Sequence, residues 1–88
     1  MTVHRLVIKK SVAKDHRPIP RHDVGRILKH IESLATEPRP IGCEKLSEDD
    51  KYRVRQGAYR IIYEIQDKDL VVVVVKVGHR KGIYGSGH

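Results

Sequence analysis

The 88-residue chain has no tryptophan, no phenylalanine, one methionine and one cysteine, so its only large aromatic side chains are four tyrosines. The lone Cys43 excludes an intramolecular disulfide and any cysteine metal cluster, and is read as a structural residue in a reducing compartment. No apolar run approaches the roughly 20 residues that a spanning helix needs; the longest, Leu70 to Val75, is far shorter. The N-terminus shows no signal-peptide hydrophobic region, so a soluble, cytoplasmic protein with no membrane partner is expected. Metal and nucleotide signatures are missing too. His22 and His30 stand eight positions apart on a helical pattern, about 12 Å along its axis, too far to share one ion, and neither His-Glu-x-x-His nor Cys-x-x-Cys occurs. Gly78, Gly82, Gly85 and Gly87 follow a strand pattern with no helix after them, so they read as turn and tail residues rather than a phosphate loop. No metal and no cofactor are expected. Acidic residues are also scarce: 11 Asp and Glu against 18 Lys and Arg give a formal charge of +7. Charge of this size fits a polyanionic partner, and equally fits solubility or an acidic protein partner, so the placement of the cations has to decide.

What is present is organised around the segment from Lys51 to Tyr84. Tyr52 and Val54 alternate with Arg53 and Arg55. Tyr59, Ile61, Tyr63 and Ile65 then alternate with Arg60, Ile62 and Glu64. Side chains two apart on a strand share a face, so one face is apolar and the other carries arginines. Gln56 to Ala58 and Gln66 to Asp69 are hairpin-length connections. The third strand, Leu70 to Val77, contains five consecutive valines; a run without alternation predicts burial on both sides and a central place in the sheet.

Upstream, Val3 to Lys9 is compatible with a strand. Val12 to Arg17 reads as a short helix capped by Ser11 and ended by Pro18. After Pro20, the residues Val24, Ile27, Leu28, Ile31, Leu34 and Ala35 recur at steps of three and four, which predicts an amphipathic helix ending near Thr36. Gly25 inside it marks either a close contact with a neighbouring element or a position where the cost is simply tolerated. Ser47 to Asp50 is a polar turn. The expected fold over residues 1–88 is one α+β, two-layer domain, with a mainly antiparallel four-stranded sheet, the first strand beside the valine strand, and two N-terminal helices on one face. The opposite face is left for function.

Arg53 and Arg55 share a parity, Arg60 is expected across the hairpin from them, and Arg80 at the end of the third strand can complete the group. Clustered guanidinium groups repel one another unless an anion joins them, and their planar forks match phosphate oxygens. The competing reading pairs these arginines with Glu44, Glu48 and Glu64. Tyr84 can stack on a base, and the imidazole of His79 is a side-chain type suited to proton transfer.

The segments YRVRQGAYRIIYEI, the valine run and VGHRKGIY resemble the RelE/ParE superfamily of bacterial and archaeal toxins, and within it the RelE branch. LVIKKSVAKD, HIESLATEPRP and CEKLSEDDKYRVR extend the resemblance over nearly the whole chain. It implies a microbial-ribonuclease-like fold and a toxin held by a cognate, RelB-like antitoxin. RelE-like members cut messenger RNA in the ribosomal A site; ParE-like members poison DNA gyrase without catalysis. Carried onto this chain, the catalytic set implied is Arg53, Arg60, Arg80 and Tyr84, with His79 as a proton donor. Lys51, Arg55, Lys76 and Lys81 contribute RNA-binding charge. The chemistry implied is attack of a ribose hydroxyl on the neighbouring phosphate, which needs a base, an acid and positive charge at the transition state. Arginine stays protonated and is a poor base, which leaves Lys51, His79 and Tyr84 as alternatives for that role.

Overall fold

The structure, a computed structural model, describes residues 3–15, 19–46 and 50–79. The elements follow in the order β1 (Arg5–Ile8), α1 (Lys10–Asp15), α2 (Arg21–Ser33), β2 (Glu44–Lys45), β3 (Lys51–Gln56), β4 (Tyr59–Gln66) and β5 (Val71–His79). The strands form one sheet in the order β1-β5-β4-β3-β2, with β1 parallel to β5 and every other pair antiparallel. The α+β architecture and the docking of the first strand beside the valine strand match expectation. The sheet has five strands rather than four, because Glu44 and Lys45 pair with Arg53 and Tyr52; a strand of two residues is too short to show any alternation.

The β3–β4 hairpin closes through Gly57 and Ala58, with Gly57 at φ 60° in the first central position, where a type II′ turn needs a left-handed residue. Its register sets Tyr52 opposite Tyr63 and Val54 opposite Ile61. These four side chains are buried and meet Val12, Ile27, Ile31 and Leu34 from the helices, with Ile65, Val72, Val74 and Val77 completing the core. The helices therefore cover one face of the sheet.

Two details of α2 differ from the periodic reading. Leu28 lies on the shoulder of the stripe and remains 44% exposed, while Ile27, Ile31 and Leu34 carry the burial. A side chain at Gly25 would meet nothing within 4 Å, so this glycine marks no close approach. In α1, Ser11 falls inside the first turn, which begins at Lys10, and so does not cap the helix. The predicted extension of that helix to Arg17 lies outside the described residues.

A polar cluster secures the end of the sheet away from the hairpin. Arg39 donates from Nη2 to Asp67 Oδ2 at 2.8 Å and from Nε to the Tyr52 hydroxyl at 3.2 Å, with its guanidinium 5.2 Å from the Tyr52 ring centroid. The Arg39 hydrogen bond holds the Asp67 carboxyl below the usual range. Tyr52 and Tyr63 stack with centroids 5.9 Å apart, and the Tyr63 hydroxyl donates to the Pro38 carbonyl at 2.6 Å. Burial, with Cys43 nearby, pushes the Tyr63 phenol up. These tyrosines belong to the core, not to a site.

Candidate nucleic-acid interface

Because the sheet register pairs residues across strands on a common face, the side of the sheet away from the helices can be read in rows. One row runs Lys51–Glu64–Val73, the next Glu44–Arg53–Ile62–Lys76, and the third Arg55–Arg60–Gly78. The third row sets two arginines directly opposite each other. Like charges opposed across strands are destabilising, an arrangement that makes sense where an anion joins them. Gly78 ends that row without a side chain, leaving room over the sheet for a ligand to come close to backbone.

The arginines differ in setting. Arg60 is only 7% exposed, so its guanidinium is fixed in direction, as a group that stabilises developing charge needs to be. Arg55 is exposed, as is Lys76, while Lys51 is half-buried. Arg53, with a side chain 14% exposed, makes a charge-assisted hydrogen bond from Nη2 to Glu44 Oε2, so one of the carboxylate pairings weighed from sequence is present. Glu64 stands opposite Lys51, and its Oε1 accepts from Gln66 Nε2 at 3.1 Å. Among the residues expected to form the site, the sheet brings Lys51, Arg53, Arg55, Arg60 and Lys76 onto one face. Arg80, Lys81 and Tyr84 lie outside the described residues, as does Glu48.

His79 is not brought to that face. It stands opposite Tyr59, and the two rings meet edge to face at 5.6 Å and 88°. The cause is a bulge in β5. Ile62 pairs with Lys76 and Tyr63 with Val74, so Val75 is an extra residue and the alternation changes phase there. Before the bulge Val72 and Val74 face the helices; after it Val77 and His79 do. Had alternation run unbroken from Val71 through Val75 to His79, His79 would share a face with Arg60. Five consecutive valines carry no phase information, so the change could not be read from sequence.

A further cationic surface was not picked out from sequence. Arg26, Lys29, His30 and Ser33 of α2 line an open cleft of about 390 Å³ with Gln56, where His30 Nδ1 and Gln56 Oε1 are 3.0 Å apart. His30 also borders an adjoining cleft reached by Arg55. The signal was available: Arg26, Lys29, His30 and Ser33 recur at helical spacing on the polar side of the same helix whose apolar stripe was followed. Cationic character thus continues from the sheet face, around Arg55, onto α2.

The chain is 32% identical over 81 residues to the protein RelE1 of Methanocaldococcus jannaschii, covering 88% of this chain and 90% of that one. Its fold superposes on a crystal structure of an archaeal RelE–RelB complex from Pyrococcus horikoshii with TM-score 0.79 and 36% identity, covering 91% of this chain and 97% of that one. A RelB–RelE antitoxin–toxin complex from Methanococcus jannaschii gives TM-score 0.74 and 27% identity, with coverage of 91% and 96%. Residues 6–84 match the family model described as the ParE toxin of type II toxin-antitoxin system, parDE. The basic sheet face turned away from α1 and α2 and these likenesses together place the chain in the RelE/ParE family of type II toxin–antitoxin toxins.

Proposed function

We propose that this toxin is a ribosome-dependent messenger RNA endonuclease of RelE type, silenced by a cognate RelB-like antitoxin. The observation that carries the reading is the Arg55–Arg60–Gly78 row, flanked by Arg53, Lys51 and Lys76, on the side of the sheet away from α1 and α2. A protein that only docks on another protein has no need of two directly opposed arginines beside a bare glycine. A phosphodiester seated over Gly78 would sit between charges suited to a pentavalent transition state formed by attack of the ribose hydroxyl.

In this reading Arg60, together with Arg80, stabilises the developing charge, and Arg53 orients the phosphate. Tyr84 stacks on the messenger base and holds the ribose in line. Arg55, Lys51, Lys76 and Lys81 grip the backbone. Lys51 is the one base candidate that the register puts on this face among the described residues. The position of His79 favours packing against Tyr59 over proton donation. Binding and cleavage both take place in the cytoplasm, where messenger and ribosomes are found.

The family description names ParE, so inhibition of DNA gyrase is the second reading. Purified protein added to a reconstituted translation system, with cuts mapped by primer extension and a gyrase supercoiling assay run on the same preparation, separates the two. Cuts on ribosome-bound messenger with gyrase unaffected are expected. Intact messenger with inhibited gyrase would replace the nuclease reading.

A further inference from the structure

Among the described residues the basic face carries two carboxylates, and the structure sets them differently. Glu64 is half-buried, opposite Lys51, with Gln66 donating to it. Glu44 belongs to the two-residue edge strand β2 and is in register with Arg53 alone, across which its Oε2 and Arg53 Nη2 are 2.5 Å apart. The partners are unequally exposed: the Arg53 side chain is 14% accessible and that of Glu44 is 53%. The arginine is therefore the fixed member, and the carboxylate is the one able to swing into water.

We propose that Glu44 is a carboxylate latch, holding Arg53 across the sheet edge in the RNA-free protein and competing with an incoming phosphodiester for it. The proposal rests on the RNA reading above and deepens it. A partly exposed ion pair stabilises little and is screened by salt, so breaking it is inexpensive. Phosphate oxygens accept from a guanidinium fork in pairs, a stronger arrangement than one Nη2 contact. A lone anion in solution has only Arg53 with which to displace Glu44. A phosphodiester already held by the Arg55–Arg60 row is presented at high local concentration and wins the exchange, after which the freed carboxylate swings outward from the like charge. Glu44 in this way weakens the grip on stray anions and makes engagement of Arg53 depend on engagement of the neighbouring row. It acts through Arg53 and is a positioning residue.

The test is equilibrium binding of the full chain to a labelled single-stranded RNA made uncleavable by 2′-O-methyl groups, measured by fluorescence anisotropy across a salt series. Glu44→Gln should tighten binding about 3–10-fold at low salt. The gain should shrink as salt rises, because the ion pair that competes for Arg53 in the wild-type protein is itself screened. In an Arg53→Gln background the same change should do nothing. Glu32→Gln on the exposed side of α2, which removes an equal charge elsewhere, should change affinity less than about twofold. Thermal melting verifies that each variant is folded, and Glu44→Ala must repeat the Glu44→Gln result. Unchanged or weaker binding in Glu44→Gln, or an equal gain with Arg53 absent, would overturn the latch while leaving the RNA reading in place. No RNA binding by any variant would overturn the RNA reading, and the latch with it.

Discussion

In the proposed reading, Arg60 is the residue on which the chemistry would turn. Its near burial on the face opposite the core gives a guanidinium that need not reorganise as charge develops, so Arg60→Ala should slow cleavage by about 10²–10³-fold with folding retained. Arg60→Lys should recover little of that rate, because a point charge cannot replace a planar fork. Single-turnover cleavage beside circular dichroism measures both; near-normal activity in folded Arg60→Ala protein would remove it from the site. His79 gives the opposite expectation. With its ring against Tyr59 on the helix side, His79→Gln should leave both limbs of the pH–rate profile in place, and loss of a limb would return it to the chemistry. Tyr63 carries a stability prediction. Its phenol is raised above the ordinary 10.0 by burial, so the folded state keeps a proton that the unfolded chain gives up. Its contribution is full below pH 10 and is lost as pH rises through the folded value. Tyr63→Phe should flatten the alkaline fall in melting temperature, while costing about 1 kcal/mol at neutral pH through the lost bond to Pro38.

At the scale of elements, helix α2 separates periodicity from burial. Ile31 and Leu28 occupy the same sequence stripe and border the same apolar recess with Ile8, Val12 and Val24, yet Ile31 is enclosed and Leu28 remains largely exposed. Ile31→Ala should cost about 2–5 kcal/mol and Leu28→Ala under about 1 kcal/mol by chemical denaturation; equal costs would contradict the placement of the helix. The alternation in β3 and β4 was legible because each strand is wetted on one side. That alone assigned Arg53, Arg55 and Arg60 to the face opposite Tyr52, Val54 and Tyr63. The phase of β5 was not legible, since five valines in a row show no alternation although Val73 and Val75 are only half-buried, and this hides the bulge at Val75 that turns His79 away. Strand β2 escaped notice for a different reason: two residues pair by position rather than by pattern. The basic side of α2 was visible but unweighed beside its apolar stripe.

For the whole molecule, the two sheet faces divide the work. One is closed by α1 and α2 and supplies the stability of a small core; the other carries Lys51, Arg53, Arg55, Arg60 and Lys76, and Arg26 and Lys29 extend the basic surface along α2. Among the described residues no helix is long and apolar enough to cross a membrane. An acidic, amphipathic antitoxin segment would suit this surface, joining charge complementarity to the sheet face with apolar contact at the recess beside Leu28. The central claim is that the Arg55–Arg60 row promotes attack by a ribose hydroxyl on ribosome-bound messenger. The most direct measurement is single-turnover cleavage of a programmed ribosome complex, comparing an all-ribose message with one carrying a single 2′-deoxy residue at the cut position. The account predicts a cut in the first and none in the second, with a cyclic phosphate on the upstream fragment. Equal cutting of both messages, or no cutting of either, would contradict it.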